Sequence, residues 1–310
     1  MSTEAEKGGG GDMMMFCGSC DIAEDNDIKL KKCNACKSVR CCSVKCQKEH
    51  RPKHKKECKK RVAELRDEVL FHQPESSHGG DCPICCLPLP IDPKKSMLMA
   101  CCCKVICIGC EYVNFMRQKE GSLEHTCSFC REKRPITDKE VELSLKKRIE
   151  VNDPVALRHV GTMRCIEGDY DGAMEYLLKA AGLGDMKAHY EISTMYQKGR
   201  GVEKDEKKEV FHSEQAAIGG HPNARNNLGC VEWENCRPMR AVKHWTIAAN
   251  LGHDGSLKSL KDCYATGIIS KEDFAAALRA HQAAVDATKS PQREVAEAAQ
   301  QKFEAAKAAR

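Results

Sequence analysis

The stretch that decides the fold lies at residues 17–58 and has the sequence CGSCDIAEDNDIKLKKCNACKSVRCCSVKCQKEHRPKHKKEC. Seven cysteines and one histidine in it form four pairs, each with two or three residues between its members. The pairs are Cys17 and Cys20, Cys33 and Cys36, Cys42 and Cys46, and His54 and Cys58. Because a short turn can present two such side chains to one ion, the spacing predicts two zinc sites, each closed by four protein ligands.

A second series of cysteines follows at residues 82–130. Three of its pairs have two residues between their members, and a run of three adjacent cysteines lies between the first pair and the second. The pairs are Cys82 and Cys85, Cys107 and Cys110, and Cys127 and Cys130, and the run is Cys101, Cys102 and Cys103. These residues predict a further double-zinc module, so the whole chain should hold about four structural Zn²⁺ ions.

The cysteine content, 22 residues in 310, would also fit a secreted protein rich in disulfides. The N-terminus argues against export, because residues 1–12 are polar and glycine-rich and the apolar run at 13–16 is too short for a signal peptide. No stretch approaches the roughly 20 apolar residues that a membrane span needs. We therefore expect an intracellular protein, cytoplasmic or nuclear and not secreted, with no membrane partner and with zinc on its cysteines.

The net charge of +5 does not identify a partner. Zinc-bound cysteines are thiolates, so about 15 of them and four Zn²⁺ ions lower the net charge by about 7, to near neutrality. Residues 29–61 nevertheless carry fourteen Lys or Arg and two Glu. This basic segment could contact nucleic acid through its phosphates. We favour the alternative, a solvated surface that offsets the charge of the thiolates, because no aromatic residues interleave with the basic ones.

Residues 17–58 resemble the MYND zinc finger. The resemblance covers all eight ligands, the five residues between Cys36 and Cys42, the Cys-Ser-x-x-Cys-Gln run from Cys42, and the Pro-x-His-Lys run from Pro52. It implies interleaved ligation, with one ion on Cys17, Cys20, Cys42 and Cys46 and the other on Cys33, Cys36, His54 and Cys58. It also implies binding of short proline-containing peptides, although Cys41 and Arg51 stand where the family usually has aromatic residues.

The second module resembles a RING finger. The matching positions are Cys82, Cys85, the 101–103 run, Cys107, Cys110, Cys127 and Cys130. RING fingers usually carry Cys-x-His before the fifth ligand, but Lys104 occupies the histidine position here, and its ammonium group has no lone pair for zinc. A neighbouring cysteine must therefore complete the site, Cys102 together with Cys101 or Cys103, and we predict the pair Cys102 and Cys103.

The RING resemblance implies a ubiquitin ligase, which grips a ubiquitin-conjugating enzyme and acts by positioning, without a covalent intermediate. By position, Ile84 matches the family's apolar contact to that enzyme, and Arg131 matches its bridging cation. Alternatively, the module is a structural fold without ligase activity, in which Ile84 packs under the zinc loop and Arg131 is a surface charge. We predict no catalytic residue, because no base or orienting group lies near the spare cysteines in sequence.

The second half of the chain contains an internal repeat. Ala-Ala-x-x-Gly recurs at residues 180–184, 216–220 and 248–252, which predicts stacked helix pairs. With Gly-x-Gly-Val-x-x-Asp at 199–205, the middle unit resembles Sel-one-like repeats, relatives of tetratricopeptide repeats, and the resemblance implies a scaffold that docks proteins. Residues 254–285 would form a degenerate fourth unit. The aromatic residues of the repeats, predicted to pack between helices or else to contact partners, are Tyr190, Trp233 and Trp245.

Together these observations predict two small zinc-stapled cross-brace fingers with little regular structure, followed by an all-α helical-repeat solenoid. The predicted segments are a disordered tail (1–16), a MYND-type finger (17–58), a helical linker (59–81), a RING-like finger (82–134), a linker (135–151), Sel-one-like repeats (152–285) and a C-terminal helix or tail (286–310). We expect a zinc-binding adaptor whose fingers and solenoid each dock partner proteins, with no small-molecule substrate. The alternatives are a ubiquitin ligase whose solenoid selects substrate, and a nuclear regulator whose basic finger contacts nucleic acid.

Overall fold

The computed structural model describes residues 15–308, so the predicted tail at 1–16 lies almost entirely outside the described residues. The chain divides into two compact units, Met1–Leu70 and Phe71–Arg310. Within residues 15–308, no helix combines the length and the apolar character that crossing a bilayer requires.

The first unit contains little regular structure apart from one long helix. Strands β1 (Lys31–Lys32) and β2 (Arg40–Cys41) pair antiparallel, and helix α1 spans Val44–Leu70. The helix begins inside the finger, whereas the sequence predicted a helical linker only from residue 59. His54 and Cys58 are four residues apart, a spacing that puts both on one face of a helix and lets α1 carry zinc ligands. The small core lies around Cys17, Leu30 and Cys41.

The second unit begins with another zinc-finger fold. A short 3₁₀ helix at Pro93–Lys95 leads into β3 (Ser96–Met99), which pairs antiparallel with β4 (Lys104–Cys107). The cysteine run at 101–103 therefore forms the turn of this hairpin. Helix α2 (Ile108–Glu120) follows directly, with Cys107 as its N-cap. Leu89, Met99 and Ile106 are buried among the cysteines of the finger.

A helix occupies most of the segment that the sequence predicted to be a linker at 135–151. Helix α3 (Asp138–Glu150) starts with a capping box, in which the Thr137 side chain accepts from the Glu140 backbone N–H and the Glu140 side chain accepts from the Thr137 backbone. Such a box satisfies two of the free N–H groups at a helix start. Leu145 of α3 is buried against the first repeat helix, and the segment joins the finger to the repeats as one packed body.

Helix pairs make up the rest of the unit, which confirms the predicted helical-repeat fold. The pairs are α4 (Pro154–Glu167) with α5 (Tyr170–Gly182), α6 (Met186–Lys198) with α7 (Glu206–Ile218), α8 (Pro222–Glu234) with α9 (Pro238–Asn250), and α10 (Asp254–Ala265) with α11 (Lys271–Ala287). Fully buried alanines such as Ala180, Ala216 and Ala248 let these helices approach closely. The last pair lies at the residues, 254–285, for which the sequence predicted a degenerate fourth unit.

The repeated Ala-Ala-x-x-Gly pattern corresponds to one recurring turn. Gly184, Gly220 and Gly252 each have φ between 80° and 90°, a conformation that glycine adopts without a steric penalty. The next residue in each case is the N-cap of the following helix: Asp185, His221 or His253. Trp245 is buried as predicted, whereas Trp233 is 42% exposed although its ring lies 5.5 Å from that of Trp245.

Helix α12 (Pro291–Ala308) occupies most of the segment that the sequence predicted to be a C-terminal helix or tail, and Arg293 and Ala296 of this helix are buried. It packs against α2 of the second finger, and Lys95 of that finger forms an ion pair with Glu297 at 2.9 Å. Helix α12 thus lies against the second finger of the same unit.

Candidate metal centres

Four groups of cysteine and histidine side chains converge within the described residues. In each group the four ligand atoms lie within 4.8 Å of one another. They are site 1 (Cys17, Cys20, Cys42, Cys46), site 2 (Cys33, Cys36, His54, Cys58), site 3 (Cys82, Cys85, Cys107, Cys110) and site 4 (Cys101, Cys102, Cys127, Cys130). In both fingers the first and third pairs along the chain share one site and the second and fourth share the other. Sites 1 and 2 have the interleaved sets that the MYND resemblance implies.

The distances between sulfur atoms match tetrahedral zinc. The measured pairs are Cys20 and Cys42 at 3.6 Å, Cys33 and Cys58 at 3.8 Å, Cys85 and Cys107 at 3.8 Å, and Cys102 and Cys127 at 3.9 Å. Zn–S bonds of about 2.3 Å at tetrahedral angles separate two sulfurs by roughly 3.8 Å, whereas a disulfide needs about 2.05 Å. None of the 22 cysteines forms a disulfide. The four clusters therefore fit four structural zinc sites, each with its coordination filled by protein.

The same backbone turn occurs at four Cys-x-x-Cys pairs, those that begin at Cys17, Cys33, Cys82 and Cys127. The residue after the second cysteine has a left-handed φ of 55° to 65° and its N–H donates to the carbonyl of the first cysteine at 2.8–3.1 Å. These residues are Asp21, Lys37, Cys86 and Arg131. Since none is glycine, each turn is held in a conformation that non-glycine residues seldom adopt. The turn keeps both sulfurs on one side of the chain.

The predicted ligand pair Cys102 and Cys103 is wrong, because the ligands of site 4 include Cys101 and Cys102 but not Cys103. The structure brings Cys101 and Cys102 to Cys127 and Cys130, with 3.4 Å between the sulfurs of Cys101 and Cys130. Cys103 has a left-handed φ of 54°, and its N–H donates to the Met99 carbonyl at 2.7 Å. This turn directs its side chain away from the site into a buried apolar cluster with Leu145 and Ala156. Cys41 and Cys86 also lie outside the four groups.

Hydrogen bonds favour the thiolate form at particular ligands. Burial opposes ionisation of Cys36, but bonds from the Ser38 hydroxyl and from the Ser38 and Val39 backbone lower its pKa to about 5. Burial likewise opposes ionisation of Cys85, while the Leu87 backbone and the Arg293 guanidinium lower its pKa to about 7. Thiolates are the form that binds zinc. Because each site has four protein ligands, these centres hold structure and leave no open position for a substrate.

The two predicted contact residues of the second finger lie on separate zinc loops. Ile84, between the ligands Cys82 and Cys85 of site 3, is 41% exposed and does not pack under its loop. Arg131 follows the site 4 ligand Cys130 and is also exposed. Phe129, which the sequence analysis did not single out, is 41% exposed between Cys127 and Cys130.

A groove of about 630 Å³ runs beside α1 in the first unit. Ala35, Val39, Val44 and Val62 form its apolar lining, next to Cys33, His54 and Cys58 of site 2. Its basic lining residues are Lys31, Lys48, Arg51, Lys55 and Lys59, and no Asp or Glu lines it. Among the described residues none of these five cations is in an ion pair. The lining of the groove thus combines apolar side chains with five cations and contains no carboxylate.

Arg293 contacts site 3, and sequence reasoning did not predict this contact. Arg293 is 2% exposed, although it lies in the segment for which the sequence predicted only a C-terminal helix or tail. Its guanidinium donates to the carbonyls of Pro88 at 2.7 Å and Leu87 at 3.1 Å, and to the sulfur of Cys85 at 3.4 Å. No spacing signal in the sequence could connect residues so far apart.

Comparison with known proteins identifies the first finger. The family model described as MYND finger matches residues 16–58. DAP3-binding cell death enhancer 1 from Mus musculus is 24% identical over 195 residues, which cover 50% of this chain and 38% of that protein. The Rattus norvegicus protein of the same name is 24% identical over 183 residues, covering 46% and 36%. The chain therefore spans well under half the length of the curated relatives it matches.

Two solved structures are similar to parts of the chain. A Sel1 repeat protein from Oxalobacter formigenes is 30% identical, covers 39% of this chain and 97% of its own, and has a TM-score of 0.36. The protein c5321, a protective antigen of uropathogenic Escherichia coli strains with an SLR fold, is 18% identical, covers 56% and 37%, and has a TM-score of 0.41. With the family match and the geometry of sites 1 and 2 together, residues 16–58 of this chain are a MYND finger.

Proposed function

We propose that this chain is a zinc-stabilised adaptor whose MYND finger holds a partner peptide in the groove beside α1, while the helical repeats dock a second protein. The observation that carries the proposal is the groove itself. Its volume of about 630 Å³ and its valine and alanine lining would accept one or two apolar side chains of an extended peptide.

The charge of the groove lining indicates which kind of peptide would bind. Five Lys or Arg residues line the groove without an acidic neighbour in the lining, so an anionic segment would be attracted and a basic one repelled. Arg51 stands where the family usually has an aromatic residue, which replaces part of an apolar wall with a cation. We therefore propose a peptide with an apolar centre flanked by Asp or Glu.

Neighbouring lysines on α1 provide a matched test. Lys55 and Lys59 line the groove, whereas Lys56 and Lys60, equally exposed, do not. The probes are fluorescent peptides with a Pro-Leu centre flanked by glutamates or by lysines, titrated with zinc-loaded protein. We expect K55E/K59E to weaken binding of the acidic probe about tenfold or more at low salt, a loss of about 1.4 kcal/mol. K56E/K60E should change it much less.

The outcomes separate the candidate partners. Equal loss in both variants would contradict docking in the groove. Binding of the lysine-flanked probe as tightly as the acidic one would contradict the charge argument. Tighter binding of a DNA or RNA duplex than of either peptide, with a steep dependence on salt, would instead favour the nuclear regulator that contacts nucleic acid.

A ubiquitin ligase is the second candidate, favoured by the exposure of Ile84 and Arg131 on the zinc loops of the second finger. An apolar residue left exposed on a metal-stapled loop is available to a partner such as a ubiquitin-conjugating enzyme. The test is self-ubiquitination across a panel of conjugating enzymes, with Ile84→Ala as the variant. Ile136→Ala is the control, because Ile136 is 73% exposed but lies outside both zinc loops. If protein that carries about four zinc ions forms no ubiquitin chains, the ligase is rejected and the adaptor remains as the proposed function.

A further inference from the structure

The burial of Arg293 needs a counter-charge. A guanidinium is always ionised, and a buried charge is costly unless it is paired. Among the described residues Arg293 forms no ion pair with a carboxylate, and its Nε is buried without a hydrogen-bond partner. The carbonyls of Leu87, Pro88 and Thr288 accept its other N–H groups but carry no net charge.

Site 3 supplies that negative charge. With zinc bound, its four thiolates and one Zn²⁺ carry a net charge of about −2, and Arg293 donates directly to the sulfur of one of these ligands, Cys85, at 3.4 Å. Residues that hydrogen-bond to metal ligands orient them and tune the affinity for the ion. Loss of such a partner typically costs 10–100-fold in metal affinity.

We propose that Arg293 is an outer-shell residue of site 3, so that docking of helix α12 and retention of zinc at site 3 are coupled. The guanidinium offsets the excess negative charge on the thiolates and fixes the loop at Leu87 and Pro88. Because coupling between two equilibria is reciprocal, zinc in site 3 stabilises the docked helix by the same factor. A partner that captures α12 would accordingly loosen this one ion and leave the other three in place.

The test measures metal loss at each site of the full-length protein. Zinc-loaded chain is mixed with excess EDTA and a thiol-alkylating reagent, and peptide mass spectrometry follows the cysteines of the four sites separately. We expect Arg293→Gln to speed alkylation of Cys82, Cys85, Cys107 and Cys110 about tenfold or more, with sites 1 and 2 unchanged. Arg293→Lys, which keeps the charge but not the forked geometry, should give an intermediate rate.

A second contact of α12 provides the control. Glu297→Gln removes the ion pair to Lys95 but no contact to a sulfur, so site 3 should lose zinc within about twofold of the wild-type rate. A wild-type rate at site 3 in both Arg293 variants would overturn the proposal. So would equal acceleration at sites 3 and 4, because that result would show a general folding defect of the finger. If Arg293→Gln does not fold, Arg293→Lys against Glu297→Gln decides the question.

Discussion

The backbone nitrogen of Arg293 lies 2.8 Å from the point where a Cβ atom on Gly109 would stand. Gly109 is the second residue of α2 and sits between the site 3 ligand Cys110 and the N-cap ligand Cys107. Helices α2 and α12 therefore meet backbone to backbone at this point. The approach is what allows the Arg293 side chain to reach the zinc loop at Cys85 and Leu87.

Gly109→Ala should push α12 off the finger. The added methyl group would also meet Arg293 Cα at 3.0 Å, and backbone atoms cannot rotate out of the way. Because the clash is with backbone atoms, we expect the overpacking to cost about 3 kcal/mol, against a gain of about 1 kcal/mol from alanine's helix propensity, so the free energy of unfolding should fall by about 2 kcal/mol. Urea unfolding measures the change.

Gly182→Ala is the matched control for that variant. Gly182 also lies in a helix, at the end of α5, and nothing stands within 4 Å of its Cβ position. Stability equal to or above that of the wild type is expected there. If Gly109→Ala behaved in the same way, the tight contact with α12 would be refuted.

Removal of single cysteines should separate ligands from packing residues in the 101–103 run. Cys101→Ala removes a ligand of site 4, so the protein should carry about three zinc ions instead of four. Cys103→Ala should keep all four and lose only packing against Leu145, at a cost of about 1 kcal/mol. Native mass spectrometry counts the ions, with Cys86→Ala as a control outside the sites. Loss of an ion from Cys103→Ala with retention in Cys101→Ala would reverse the assignment.

Acid should destabilise the repeats through buried histidines. The rings of His78 and His221 stack with 4.0 Å between their centroids. The ring of Tyr190 also stacks with that of His221, at 4.2 Å between centroids. Burial first, and then the nearby Lys187 and Arg158, lower the pKa of His78 to about 4, while Asp185 opposes the shift. Burial also lowers the pKa of His221 well below its usual value.

The sign of the effect follows from those lowered pKa values. Below pH 6.5 these histidines bind protons in the unfolded chain but not in the folded chain. Their effect on the free energy of unfolding is therefore absent above pH 6.5, and this free energy falls as the pH drops toward 4. Each such histidine contributes at most about 1.4 kcal/mol per pH unit. His78→Phe keeps the stacking and removes one proton site, so urea unfolding between pH 7.5 and 4.5 should show a shallower slope. A slope for His78→Phe equal to that of the wild type would contradict this account.

Chelation should unfold the first finger and spare the repeats. The first unit buries little beyond Cys17, Leu30 and Cys41, so most of its folding free energy must come from zinc. The repeats have metal-free cores around Leu177 and Ile192 and around Leu260. With excess EDTA, hydrogen exchange should become fast over residues 15–70 and stay slow over 154–265. Fast exchange in both regions at one chelator concentration would contradict this division, and added Zn²⁺ should reverse the change.

Local spacing predicted most of the metal chemistry. Pairs such as Cys33 and Cys36 reveal themselves because both ligands lie in one turn, and the Ala-Ala-x-x-Gly pattern marks a turn that the structure repeats at Gly184, Gly220 and Gly252. The sequence could not show whether Cys101 or Cys103 is the second ligand beside Cys102. This depends on which residue of the hairpin turn takes the left-handed conformation. The docking of Arg293 leaves no spacing signal at all, because its contacts cross the whole repeat region.

The contact between α2 and α12 has a consequence for biosynthesis. Translation is vectorial, so the cysteines of site 3 leave the ribosome long before Arg293 is added. During that interval any ion that the finger takes up is held while the face of α2 around Gly109 is uncovered, because α12 can cover this face only after it has been synthesised. A chain that lacks residues 291–308 would therefore contain all four ligands of site 3 but not Arg293.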